Sequence, residues 1–227
     1  MPEKVIRSVE YPQARILVFC KAPQAGKVKT RLARDIGESA AAQVHEHLAW
    51  HCLQNLIDYA IAPVELWCAP DTEHEFFRQC QEELKIPLKQ QVGDDLGQRM
   101  QHAFAETLEH HSSAVLIGTD CPMITADYLR AAFVAIGQNK TAIGPAEDGG
   151  YVLLGASTVQ PRLFLDMPWG MPQVYAETMA RIAGDIEILK PLWDVDYVAD
   201  LRRLNVISDS AGLDAKFQIY LESLDVR

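Results

Sequence analysis

No apolar stretch in this chain approaches the length of a membrane span. The amino-terminal MPEKVIRSVEYPQARILVFC carries charges and a proline where a secretory leader would need an apolar core. A cytoplasmic protein without a membrane span is expected. Cysteine is sparse and unpaired in pattern: Cys20, Cys52, Cys68, Cys80 and Cys121 are odd in number and include no Cys-x-x-Cys, which suits reduced thiols. Basic charge is also short, with Lys+Arg 21 against Asp+Glu 31 and a net charge of -10. That field repels a polyanion, so nucleic acid is excluded as a partner, although one basic loop or a bound cation can still draw a nucleotide into a cleft. Repeats, low-complexity tracts and Gly/Ser linkers are absent, and a single domain over residues 1–227 is expected. The histidines show no metal-binding spacing such as His-Glu-x-x-His, and His45 and His47 read as positions on a helix.

What the chain does have is 48% hydrophobic content in runs that alternate with helical patterns. Strands are expected at 15–20, 64–69, 88–92, 114–118 and 141–145, and helices at 38–59, 73–84, 96–110 and 126–136. This alternation predicts an α/β fold with a mostly parallel central sheet and helices on both faces. Residues 151–155 follow the preceding strand too closely for a helical crossover, so an antiparallel or edge strand is expected there. The Pro-, aromatic- and Met-rich 162–172 predicts an irregular loop over the sheet. A helix at 173–183, a short strand at 186–189 and a helix at 213–221 complete the pattern. Ligands of parallel sheets bind beyond the carboxyl ends of the strands, which directs attention to the loops after Cys20, Val92, Gly118 and Pro145.

The first of these loops runs from Lys21 to Arg31 and concentrates cations and a glycine between a strand and a helix, where backbone amides and side chains can cradle phosphate. It is not a Walker A loop, because Lys21 stands where that pattern needs glycine and Val28 follows Lys27. Lys29 and Arg31 are taken as exposed loop charges that neutralise phosphate. The third strand leads into Gly93-Asp94-Asp95-Leu96-Gly97-Gln98-Arg99, with backbone amides near a helix start and Arg99 as a phosphate or base contact. Gly118-Thr119-Asp120-Cys121-Pro122 places a carboxylate at the end of a buried strand, where a hard cation can be held through oxygen. Thr125 is the better-placed cap for the next helix, and Cys121 reads as packing. In Glu147-Asp148-Gly149-Gly150, paired glycines permit close backbone approach, and Glu147 or Asp148 can serve as base, sugar ligand or metal support. Late in the chain, Trp193-Asp194-Val195-Asp196 offers Asp196 as a second carboxylate.

With these motifs assembled in order over residues 15–205, the chain resembles the bacterial glycosyltransferase-like family of the nucleotide-diphospho-sugar transferase superfamily. The resemblance implies nucleotide contacts at Lys21, Ala22, Pro23, Gly26, Lys29, Thr30, Arg31, Gly97 and Arg99. It implies Mg2+ or Mn2+ at Asp120 and Asp196, with Asp148 and Lys29 as catalytic residues. Asp196, Asp200 and Leu201 match a late Asp-Thr-Pro-Glu-Asp-Leu pattern of relatives, while its Thr-Pro-Glu is missing here. The expected activity is metal-dependent glycosyl transfer from a nucleotide or nucleotide-sugar to an acceptor that the sequence does not identify. Nucleotidyl transfer with pyrophosphate release and nucleotide binding without turnover are the alternatives.

Overall fold

The computed structural model describes residues 8–224, so residues 1–7 and 225–227 of the expected domain lie outside the described residues. The first strand, β1 (Ala14–Lys21), shows how the sheet is covered on both faces. Ile16, Val18 and Cys20 enter one core, whereas Leu17 and Phe19 enter the other. Successive side chains of a strand point to opposite faces, so a continuous apolar run requires two cores. Helices α2 (Glu38–Tyr59), α3 (Glu75–Leu84) and α5 (Ala126–Gly137) cover the first face, while α4 (Leu96–Leu108) covers the second.

The other strands are β2 (Val64–Ala69), β3 (Leu88–Gln90), β4 (Ser113–Gly118), β5 (Thr141–Pro145), β6 (Tyr151–Ala156) and β7 (Ile186–Ile188). They form one sheet in the order β3-β2-β1-β4-β6-β5-β7. All neighbours are parallel except those of β6, which is antiparallel to both β4 and β5. The short 146–150 connection therefore produces the expected antiparallel strand, but inside the sheet rather than at its edge. Strand order reverses between β1 and β4, and this reversal opens a crevice beyond their carboxyl ends. Lys21 and Gly118 end the two strands that flank it.

Two helices depart from expectation. A short α1 (Ala33–Ile36) continues the basic loop, and α7 (Val198–Val206) forms where only a metal motif was anticipated. Asp200 explains the second: its Oδ2 accepts the backbone N–H groups of Asp196 and Tyr197, fixing the start of α7. Leu201 and Leu204 then turn into a third core with Leu32, Val44 and Leu48, completed by Phe217 of α8 (Ala215–Ser223). The 162–172 segment is irregular as expected, apart from a 3-10 turn at Pro161–Leu163, and leads into α6 (Val174–Arg181).

Candidate active site

The basic loop leaves β1, and its Lys29 adopts a left-handed backbone with φ of 46°. Such a conformation is strained for a residue with a side chain and is held by its surroundings. Here the surroundings are ionic. Lys29 Nζ lies 2.6 Å from Asp120 Oδ1 and 3.2 Å from Asp196 Oδ1, and its side chain is only 2% exposed. This corrects the reading of Lys29 as a solvated loop charge: it is a buried cation joining the β4 loop to the late segment. Arg31 remains partly exposed, with Nη1 3.0 Å from Asp196 Oδ2, Nη2 3.5 Å from Gly170 O and its guanidinium over the Tyr197 ring.

Asp120 is presented by the end of β4 and faces two ways. Its Oδ1 is buried against the Lys29 ammonium at ion-pair distance, while the side chain as a whole is 43% exposed. The remainder of the carboxylate therefore meets the crevice. Burial alone would push this carboxyl up, but the Lys29 ammonium beside it, together with the contact to His45, outweighs that and holds it well below the usual range. Lys29 shows the reverse balance, with burial lowering it and Asp120 and Asp196 raising it further. His45, which sequence reasoning assigned only to a helix face, donates Nε2–H to Lys21 O at 2.9 Å and places Nδ1 3.7 Å from Asp120 Oδ1. His47, two residues on, faces away and stacks on Phe217 and Tyr220.

Asp194 is the residue that sequence reasoning missed. Burial first, and then the negative charge of Asp120, push its carboxyl up to about 7. A signal was available in the alternation of Trp193-Asp194-Val195-Asp196. Trp193 and Val195 are buried, so Asp194 and Asp196 share the opposite side. Backbone bonds bring the segment in, with Val195 N–H donating to Asp120 O at 2.9 Å and Leu192 N–H to Pro145 O at 3.0 Å.

Two cavities of about 320 Å3 each meet at Asp120 and Asp196. One is basic and lined by Lys21, Lys27, Lys29 and Thr30 together with His45 and Gln91. The other is walled by Phe19, Met100, Tyr151 and Trp169 and takes in Arg31, Asp148 and Asp194. Asp148 Oδ1 accepts Gly150 N–H at 2.9 Å, and among the described residues its second oxygen has no hydrogen bond. Glu147 turns outward to pair with Arg203 of α7. Cys121 is packing, buried and with its thiol pushed up by that burial.

Several expected nucleotide contacts line neither cavity. Ala22 is buried beneath the loop, Pro23 and Gly26 shape its turn, and Arg99 Nε is engaged by Gly93 O at 2.9 Å. Gly97 is a glycine for packing: a Cβ there would stand 2.2 Å from Phe164 O and 2.8 Å from Trp169 Nε1. Gly149 plays the same part on the other side, where a Cβ would stand 2.1 Å from Pro172 O. Both let the 161–172 segment close over the aromatic cavity.

Among the described residues, no group of three His, Cys, Asp or Glu side chains converges as a metal cage. A phosphate-bridging Mg2+ does not need one, since one or two carboxylates suffice. Asp120, through its exposed part, and Asp194 both line the same cavity, and two carboxyl groups are the kind of hard oxygen donor such an ion takes. Asp196 has both oxygens on cations, Lys29 and Arg31.

This architecture is the nucleotide-diphospho-sugar transferase fold. The profile of a bacterial family described as uncharacterized conserved proteins (DUF2064) matches residues 52–171, and the chain belongs to that family. A protein from Desulfovibrio desulfuricans G20, provisionally assigned as a nucleotide-diphospho-sugar transferase, is 30% identical and superposes with a TM-score of 0.84 over 94% of this chain and 96% of its own. More distant solved structures share the fold. A nucleotidyl transferase from Methanothermobacter thermautotroptrophicus is 12% identical, with a TM-score of 0.58 over 88% of this chain and 97% of its own. A CMP:2-keto-3-deoxy-manno-octonic acid synthetase complexed with CTP is also 12% identical, with a TM-score of 0.53 over 87% and 99%. No curated protein matches the chain. No helix among the described residues is long and apolar enough to cross a membrane.

Proposed function

We propose that this protein is a metal-dependent transferase that takes a nucleotide-sugar donor and passes its glycosyl group to an acceptor. The observation that carries this reading is the ion pair of Lys29 with Asp120 and Asp196, set where strand order reverses and where a basic cavity meets an aromatic one. The basic cavity receives the donor diphosphate, with Lys21, Lys27, Lys29 and Thr30 as contacts and Arg31 at its border. Asp120 and Asp194 would hold Mg2+ or Mn2+, and Asp196 serves as counter-ion to Lys29 and Arg31. Bound there, the metal neutralises charge on the leaving diphosphate. The acceptor oxygen bonds to the anomeric carbon while the bond from that carbon to the diphosphate oxygen breaks. Its electron pair leaves with the nucleoside diphosphate, and the acceptor proton passes to Asp148.

The second reading, nucleotidyl transfer, is favoured by the fold shared with a nucleotidyl transferase and with a CMP-sugar-acid synthetase complexed with CTP. Product analysis with nucleotide-sugars, nucleoside triphosphates and an acceptor panel in Mg2+ or Mn2+ separates the two. Nucleoside diphosphate release supports glycosyl transfer; pyrophosphate release replaces it with the alternative. Binding without either product leaves a nucleotide-binding module.

A further inference from the structure

Resting on the glycosyl-transfer reading, we propose that the aromatic cavity beside Asp120 selects an uncharged alcohol with an apolar body and rejects a phosphorylated acceptor. Its wall is made by Phe19, Met100, Leu116, Tyr151, Trp169 and Val174. Tyr151 and Trp169 meet edge to face with centroids 6.5 Å apart, forming an aromatic corner that suits a planar or hydrocarbon group. A volume of about 320 Å3 accommodates a small organic molecule.

Charge decides the class more sharply than shape. Arg31 is the only cation among the described residues lining this cavity, and its Nη1 is already on Asp196 Oδ2 at 3.0 Å. Asp120, Asp148, Asp194 and Asp196 crowd the same end. A phosphate placed there would meet four aspartates against one guanidinium, which Asp196 and the donor diphosphate already share, and such like-charge contacts discriminate against a ligand. An alcohol, in contrast, donates its hydroxyl hydrogen to a carboxylate that can only accept. The three lysines stand in the neighbouring cavity, and a divalent ion at Asp120 is matched by the donor diphosphate, leaving nothing for a second phosphate. The reaction then joins the alcohol oxygen to the anomeric carbon, breaks that carbon's bond to the diphosphate, and delivers the hydroxyl proton to Asp148.

Two probes test the selection: phenyl β-D-glucopyranoside, neutral with an aromatic body, and glucose 6-phosphate. Each is titrated by calorimetry into the full chain with Mg2+ and the tightest-binding nucleoside diphosphate of a panel. The phenyl glucoside should bind at least roughly tenfold more tightly, a difference of about 1.4 kcal/mol. Trp169→Ala should weaken it about tenfold while nucleotide affinity stays within about twofold. Because Trp169→Ala can loosen the covering segment, Met171→Lys gives a second check. Met171 lines the cavity and is exposed, so the new ammonium should raise affinity for glucose 6-phosphate and narrow the preference. Glucose 6-phosphate binding as tightly as phenyl glucoside to the parent overturns the proposal, and so does failure of phenyl glucoside to bind folded protein. If no nucleoside diphosphate binds but phenyl glucoside retains its preference, the donor reading falls and the selectivity stands.

Discussion

Lys29 Nζ stands 2.6 Å from Asp120 Oδ1, joining the loop after β1 to the end of β4 across the point where strand order reverses. The contact is structural, and in the proposed function it has a second part. The cation that would meet the leaving diphosphate also keeps Asp120 and Asp196 together before any ligand arrives.

Replacing Lys29 with Met should therefore destabilise the protein, because two carboxylates lose a buried cation. Breaking a fully buried pair typically costs 3–5 kcal/mol, and the partial exposure of both aspartates reduces the expected loss to about 2 kcal/mol. Lys29→Arg should retain part of it. Urea denaturation measures the difference, and an unchanged midpoint for the Met variant would remove the ionic role. Arg31→Ala, at a more exposed position, should weaken nucleotide binding with little change in that midpoint.

Asp194 sets a pH dependence. Its folded-state carboxyl is pushed up to about 7, well above the ordinary range of a carboxyl, so the folded state holds a proton that the unfolded state has released. Its contribution makes stability fall as pH rises through that interval, then level off above it. Asp194→Asn should match the parent near pH 4 and exceed it by roughly 2 kcal/mol at pH 8, after discounting for partial exposure. Thermal unfolding in metal-free buffer checks this. A difference between the two proteins that stays constant with pH would contradict it. Asp120 acts in the opposite sense, its lowered carboxyl contributing stability above the unfolded value and losing it in acid.

Gly97→Ala should drive a methyl group into Phe164 O and Trp169, at a cost of about 2 kcal/mol, and loosen the cover of the aromatic cavity. Nucleotide affinity should change little, since Gly97 lines neither cavity. Chemical denaturation and nucleotide titration test the two halves separately, and unaltered stability would show that the segment shifts freely.

The repetition of strand and helix, the antiparallel β6 and the cap at Thr125 were legible because each depends on neighbours in sequence. Thr125 Oγ1 does accept Tyr128 N–H, at 3.3 Å. Asp120 was legible as a carboxylate at the end of a buried strand. The burial of Lys29 was not, because its partners come from residues 120 and 196, far along the chain. Gly97 carried a glycine-near-helix-start pattern that suits either an anion or close packing, and only the path of 161–172 shows packing. Helix α7 was obscured because Asp200 reads equally as part of a metal motif or as a cap. Asp194 stood in plain alternation with Trp193 and Val195, yet the segment is drawn in by backbone bonds of Val195 to Asp120 and Leu192 to Pro145, which come from far along the chain.

The central claim is that Asp120 organises a divalent cation and through it the diphosphate. Calorimetric titration of nucleoside diphosphates into parent and Asp120→Asn protein, with and without Mg2+ or Mn2+, tests it most directly. The parent should bind at least roughly tenfold more tightly with metal, and the Asn variant should lose that response while circular dichroism confirms its fold. Equal metal-dependent affinity in the two proteins would contradict the account, leaving Asp120 only as the counter-ion of Lys29.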